Sequence, residues 1–305
     1  MRLSRLSRRR VIGGLATIGI MSIVAAGQQP AQRATLPDLE KVKENLYIIA
    51  ASSPADRSQF TGGNTGVFIT SSGVVVVDTK LAGYGPGIIE KIKAVTNKPI
   101  TTIINTHTHG DHTGSNEGFP ASVEIVAQEN TKANMMKMDA FKGEKAPFLP
   151  KRTYKDRLTL GTGKDRVELY YFGAGHTNGD TFVVYPALRV LQTGDMFAWK
   201  DAPLYDRGNG GSGVEHPKTM AKMLSGIRDV DTVIPGHSPV TTLKDVQEYQ
   251  RYTAELLAMT EAAKKAGKSA DEAAASIDLT AKYPGYKNER VKAAVAAIYE
   301  DLKGQ

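Results

Sequence analysis

The residues best equipped for chemistry lie in one stretch, 101–116, which reads TTIINTHTHGDHTGSN. His107, His109, Asp111 and His112 fall within six residues there, directly after a β-branched run with the character of a buried strand. Imidazole nitrogen and carboxylate oxygen are the donors that borderline cations such as Zn²⁺ accept. On a helix His107 and His109 would point to opposite sides, whereas a strand end followed by a glycine-containing loop lets them converge. The spacing therefore predicts a metal site at a strand end, not a polar loop of solvated histidines.

The same arrangement recurs along the chain. Residues 166–172 run into Gly173-Ala174-Gly175-His176, residues 189–192 into Thr193-Gly194-Asp195, and residues 232–234 into Pro235-Gly236-His237. Each is an apolar strand ending in a glycine turn that carries one His or Asp. If these strands end at one edge of a layered sheet structure, their loops gather His107, His109, Asp111, His112, His176, Asp195 and His237 in one cleft. Seven donor residues exceed a single tetrahedral zinc site, which takes about four donors including water. They imply two cations sharing a carboxylate and a hydroxide, roughly 3.5–4 Å apart. His216, in GVEHPKTM, has no such strand before it and is expected to be an exposed residue near a helix start. Asp78 closes the run VVVVD at the edge of a core, where it would either accept a hydrogen bond that orients the ligand loop or simply form a turn.

The HxHxDH run, followed in order by GxGH, TGD and PGH, resembles the metallo-β-lactamase superfamily over roughly residues 45–242. The resemblance implies an α/β fold, a four-layer αββα sandwich with the site at one edge. In it His107, His109 and His176 would hold one metal, Asp111, His112 and His237 the other, and Asp195 would bridge them. The bridging acid is more similar to glyoxalase II, lactonases and related binuclear hydrolases than to the true lactamases, and the absence of cysteine excludes lactamases with a cysteine ligand. Glyoxalase II shows HTxGH after its isolated ligand, from which His176-Thr177-Asn178-Gly179-Asp180 departs. Two Zn²⁺ per chain are the implied cofactors, with iron or manganese as alternatives.

The chemistry that follows is hydrolysis of an ester, lactone, thioester or amide by a hydroxide that the two metals generate at neutral pH. Asp111 would orient it or carry a proton to the leaving group. β-Lactam hydrolysis is one alternative. Another is an oxidoreductase resembling the persulfide dioxygenases of the same superfamily, which hold a single iron. A binding protein with a vestigial site is a third. Retention of both His112 and His237 argues against the last two.

The elements that must position these residues are legible in outline. Residues 46–51, 65–70 and 74–78 read as an antiparallel meander, and residues 88–95 as a helix leading through Pro99 into a strand at 101–105. A strand over 123–127 and a helix over 128–142 follow, with Met135, Met136, Met138 and Phe141 expected in the core. Residues 53–64, 142–154 and 199–213 are irregular and would govern substrate choice. Beyond 242 the chain is helical, with apolar stripes over 246–263 and 289–302, and is expected to form an appendage that packs on the sandwich or mediates self-association.

At the other end, MRLSRLSRRR precedes an uncharged apolar run over 11–27 that finishes in Val24-Ala25-Ala26. Residues 1–26 therefore read as an export signal of twin-arginine type, and residues 27–44 as a linker. The expected mature chain is periplasmic or secreted, with no stable membrane anchor after processing. Losing the five arginines of the signal lowers the net charge from +7 to +2, so nothing in the charge balance implies nucleic acid or anionic lipid; the expected partner is a small-molecule substrate. With no cysteine, disulfides and thiolate nucleophiles are excluded.

Overall fold

The protein is described here by a computed structural model covering residues 34–52, 56 and 58–303. The expected export signal, residues 1–26, lies outside the described residues. Two sheets carry the chain. The first has seven strands in sequence order: β1 (Leu39–Lys43), β2 (Leu46–Ile49), β3 (Thr65–Ile69), β4 (Val74–Val77), β5 (Ile100–Ile104), β6 (Glu124–Gln128) and β7 (Arg152–Tyr154). Strands β1 to β4 form the antiparallel meander, and β4 to β7 run parallel. The second sheet has six, β8 (Arg157–Leu160), β9 (Val167–Tyr170), β10 (Phe182–Tyr185), β11 (Val190–Gly194), β12 (Thr232–Pro235) and β13 (Thr241–Thr242), again neighbouring in sequence order. Only β11 and β12 are parallel there.

Both faces of each sheet are covered, which explains the continuous apolar runs. Along β4, Val75 and Val77 face the other sheet with Phe68, Ile104, Val183 and Ile234. Val74 and Val76 point the opposite way, against Ile88 and Ile92 of helix α1 (Gly85–Lys93). A strand buried on both sides keeps no polar alternation. In the second sheet Val183 and Tyr185 of β10 enter the inter-sheet core, while Phe182 and Val184 meet the helices outside. The order of layers is helix, sheet, sheet, helix, the αββα sandwich expected.

Six further helices follow in chain order: α2 (Gly110–Thr113), a single turn, is followed by α3 (Glu129–Met135), and α4 (His216–Gly226) crosses between β11 and β12. After β13 come α5 (Leu243–Lys265), α6 (Ala270–Ser276) and α7 (Val291–Asp301). Capping boxes Thr242/Asp245 and Ser269/Glu272 start α5 and α6. Val246, Leu256, Val295 and Ile298 share one apolar cluster with Leu191 and Val233 of the second sheet. The C-terminal segment is thus the outer layer over that sheet, and the chain from Ala34 onward forms one unit.

Several expectations need correction. The stretch read as a linker contains β1, which pairs with β2, and Leu36, which packs under α1; its alternating charges hid an edge strand. The helix expected over 128–142 stops at Met135 and gives way to 3₁₀ turns at Asp139–Phe141 and Gly143–Phe148. Met135 and Phe141 are buried as expected, but Met136 is exposed. Among the described residues no helix is long and apolar enough to cross a membrane.

The shared core makes the C-terminal helices integral to stability. Leu256→Ala is expected to lower the unfolding free energy by about 2–5 kcal/mol in denaturant titrations. A chain ending at residue 242 should fail to give soluble, cooperatively unfolding protein. A wild-type transition from that truncated chain would show the helices to be dispensable.

Candidate metal centre

Four strand ends meet at one edge. β5 delivers His107 and His109 and then α2 with Asp111 and His112, while β9, β11 and β12 lead to His176, Asp195 and His237. The side chains form three overlapping donor groups: His107, His109 and His176; Asp111, His112 and His237; and His107, His112 and Asp195. Asp195 lies 3.3 Å from both His112 Nε2 and His237 Nε2, and 3.7 Å from His176 Nε2. Asp111 lies 3.3 Å from His237 Nε2 and 3.7 Å from His112 Nε2. All seven residues proposed from the sequence are brought together.

The outward nitrogens of four imidazoles are fixed by acceptors. His112 Nδ1 donates to Asp78 Oδ2 (2.8 Å), His109 Nε2 to Asp206 Oδ2 (2.6 Å) and His176 Nδ1 to the Leu204 carbonyl (2.7 Å). Thr106 Oγ1 donates to Asp78 Oδ2 (2.7 Å), which leaves it to accept from His107 Nδ1 (3.0 Å). Each ring therefore turns a lone pair inward. Two such nitrogens, His109 Nδ1 and His176 Nε2, stand 2.9 Å apart, and His112 Nε2 is 3.2 Å from His237 Nε2. Facing lone pairs at that range repel unless a cation or proton sits between them. His107 Nε2 and Asp195 Oδ1 are buried with no hydrogen-bond partner. Imidazole nitrogens, carboxylate oxygens and orphaned inward atoms together fit divalent cations.

The electrostatics of the metal-free cluster agree. Burial opposes charge on His112, but Asp195, Asp111 and Asp78 outweigh it and hold the imidazole well above its ordinary range. His109 and His237 are raised against burial too, by the Asp206 hydrogen bond and Asp195 respectively. Burial pushes the Asp195 carboxyl up, yet His237 and His112 bring it well below the usual carboxylate range. Asp111 falls to about 2 against burial, chiefly through His112. Carboxylates that draw protons onto neighbouring imidazoles draw cations by the same field.

The Metallo-beta-lactamase superfamily family model matches residues 59–237. The chain belongs to this superfamily. A metallo-beta-lactamase type 2 from Elizabethkingia meningoseptica is 26% identical over 185 residues, covering 58% of this chain and 67% of that protein. One from Bacillus sp. (strain 170) is 28% identical over 177 residues, covering 57% and 66%. The chain thus spans about two thirds of the length of these relatives. The 2,4-dinitroanisole O-demethylase subunit alpha of Nocardioides sp. (strain JS1661) is 34% identical over 143 residues, 43% of this chain and 41% of that one. Among solved structures, a metallo-beta-lactamase from Pontibacter korlensis superposes with a TM-score of 0.62 at 19% identity, covering 71% of this chain and 98% of that one. The DIM-1 metallo-beta-lactamase gives 0.58 at 23%, covering 72% and 99%. The protein is a metal-dependent hydrolase of this superfamily.

Within this superfamily fold, other residues hold the ligands in place. Asp206 and the Leu204 carbonyl come from the irregular 199–213 loop, which the sequence marked only as a substrate loop; no spacing pattern singles them out. Thr106 was visible inside THTHGDH, but its relay between Asp78 and His107 requires the fold. A side chain at Gly63 would collide with the His112 ring, and one at Gly236 with the Asp195 carboxylate. Asn64 ties these loops together, its amide donating to the carbonyls of Pro235 and Ser238 (both 2.8 Å). Lys80, fully buried, spans the carbonyls of Gly63 (2.6 Å) and Ala50 (3.0 Å), and burial lowers its ammonium to about 7 against the pull of Asp78 and Asp111.

His216 differs from expectation. It begins α4 as anticipated but is fully buried, with Nε2 on the Met196 carbonyl (3.0 Å) and its ring against Tyr205 and Tyr249. Burial lowers its pKa to about 3, so it is a neutral core residue.

Two outcomes follow. Asp78→Ala removes the acceptor for His112 and Thr106 and should weaken metal binding about 10–100-fold in chelator competition. Retention of wild-type affinity would contradict the orienting role. Since His112, His109 and His237 are raised in the metal-free protein, protons compete with metal for the inward nitrogens. Apparent affinity should therefore fall as pH drops below neutrality, and loading at pH 7 should release protons, measurable as a buffer-dependent heat.

Proposed function

We propose that this chain is an exported binuclear zinc hydrolase acting on the acyl carbon of an ester, lactone, thioester or amide. The observation that carries it is the position of Asp195 between the two donor triads, its Oδ2 3.7 Å from His176 of one and 3.3 Å from His237 of the other. His107, His109 and His176 would hold one ion, and Asp111, His112 and His237 the other. When bound, the ions lower the pKa of a shared water towards 7 and polarise the scissile carbonyl.

The protein's own groups do the rest. Asp111 is the most exposed carboxylate of the cluster, 21% accessible against 8% for Asp195, so it faces the open cleft where a leaving group departs. An Asp111 oxygen can take the proton that the attacking water gives up and pass it to that group. Phe60 and Trp199 flank His237, with ring centroids 5.8 and 5.3 Å away, and wall the cleft with apolar surface that excludes water from the reacting carbonyl. Phe60 lies in the 53–64 loop expected to overhang the site. Asp180, which stands where the glyoxalase II pattern differs, instead accepts from Thr177 N and Thr177 Oγ1 (both 2.8 Å) and shapes the turn after His176.

Purified protein should contain about two metals per chain, chiefly zinc, and cleave activated esters, lactones or thioesters without consuming oxygen. Asp195→Ala should lose the metal pair and reduce turnover by orders of magnitude while keeping the fold. One iron per chain, with oxygen uptake and no hydrolysis, would replace the reading with an oxidoreductase. β-Lactam hydrolysis is the second reading, supported by the names of the relatives; a β-lactam turned over well above the other acyl substrates would select it.

Export is proposed on the arginine run and small-residue end of residues 1–26. Arg8→Lys with Arg9→Lys should leave unprocessed protein in the cytoplasm. Unchanged processing would remove the twin-arginine route.

A further inference from the structure

The C-terminal segment places a cation on the aromatic ring that neighbours His237. Trp199 follows Asp195 by one turn of chain; its indole lies near His237, centroids 5.3 Å apart, and under the Arg290 guanidinium, 4.0 Å from the ring centroid. Arg290 immediately precedes α7 and lies outside the part of the chain that carries the superfamily match. Its approach is built, not incidental. The Lys287 amide donates to the Lys200 carbonyl (2.9 Å), the Arg290 amide to Asp201 Oδ1 (3.4 Å), and the Lys200 ammonium lies over the Tyr286 ring. Three contacts therefore dock residues 286–290 onto the 199–201 loop.

The guanidinium has no ion-pair partner among the described residues: no carboxylate lies within 4.0 Å of it. Asp201, which feels the Arg290 charge without pairing with it, accepts at Oδ1 from the backbone amides of Ala202 (2.7 Å) and Arg290 (3.4 Å). Stacking uses only the face of a guanidinium. The N–H groups along its edge donate to no group among the described residues, and keep the fork geometry that matches a carboxylate. Trp199 Nε1 makes no hydrogen bond among the described residues, so the contacts of its ring are what link the cation to the His237 side of the cleft.

We propose that Arg290, stacked on Trp199 beside His237, is a specificity-determining residue that binds a carboxylate on the substrate while the acyl carbon sits at the metals. The proposal deepens the hydrolase reading and rests on it for the reacting group. The substrate class is an acyl compound bearing a second, anionic end. An anion bound at the edge of a half-buried guanidinium gains a charge-assisted hydrogen-bond pair, worth about ten- to a hundred-fold in discrimination.

The test uses a matched pair, 4-nitrophenyl hexanoate and mono-4-nitrophenyl adipate, which share chain length and differ in the terminal carboxylate. The metal-loaded wild type is expected to favour the adipate ester at least ten-fold in kcat/KM, through KM. Arg290→Gln, which keeps a planar group on Trp199 without charge, should bring the ratio near one. Arg290→Lys should restore part of it. Lys292→Ala, two residues on and paired with Asp271 (3.0 Å), serves as the control and should keep the wild-type ratio.

A second readout needs no turnover. Trp199 is the single tryptophan of the chain, so its fluorescence reports this position alone. Adipate should change it saturably in wild type, adipamide should not, and Arg290→Gln should weaken the adipate response ten-fold or more. If adipate titrates Trp199 through Arg290 but neither ester is cleaved, the hydrolase reading fails and the anion site stands. If both esters are cleaved at a ratio that Arg290→Gln does not alter, and adipate leaves the fluorescence unchanged, the anion site fails and the hydrolase reading stands.

Discussion

One buried carboxylate sets the geometry on which the centre depends. Asp78 ends β4 in a left-handed backbone conformation, φ 62°, which a non-glycine residue adopts only when its surroundings repay the strain. Here they do so with three hydrogen bonds, from Thr106 N (2.8 Å), Thr106 Oγ1 (2.7 Å) and His112 Nδ1 (2.8 Å). The first holds the start of the histidine loop, the second fixes the hydroxyl that orients His107, and the third orients His112 directly. A single acid thus aligns His107 and His112, which belong to different donor groups of the cluster. It reaches them because β4 and β5 are parallel neighbours whose ends coincide, Val77 opposite Ile104. Sheet register therefore becomes metal geometry through one side chain.

Much of this was open to reading from the chain because ligands and strands are encoded locally. The runs VVVV and TTII, and the His and Asp residues after each glycine turn, carry their period and their chemistry within a few residues. The ligand list needed no long-range information. What supports the ligands did. Asp206 lies 97 residues from His109, and the Leu204 carbonyl is backbone, which no sequence pattern labels. Strands β7 and β8 were missed because they are short edge segments rich in charge, with pairing instead of periodicity to define them. His216 was misjudged for a related reason. A histidine in a polar stretch looks solvated, and only packing of the C-terminal helices onto the second sheet buries it.

The same helices alter how the molecule divides. Their stripes pack against Leu191 and Val233, strands whose ends present Asp195 and His237, so the layer that looked like an appendage supports one wall of the cleft from behind. It also reaches the front, where residues 286–290 lie along the loop of Trp199. The superfamily match ends at residue 237, and the remaining chain completes both the core and the rim. Family features and individual features thus occupy different parts of one continuous unit.

Gly63 and Gly236 add a requirement of another kind. Neither contributes a donor, and both stand where a single methyl would overlap a ring or a carboxylate of the cluster. Their value is the space they leave. Five imidazoles and two carboxylates can converge only where the adjoining backbone has been pared to its minimum, so the centre is encoded by omissions as well as by groups. Grafting the seven donors onto another sheet edge without those two gaps would reproduce the ingredients and lose the fit.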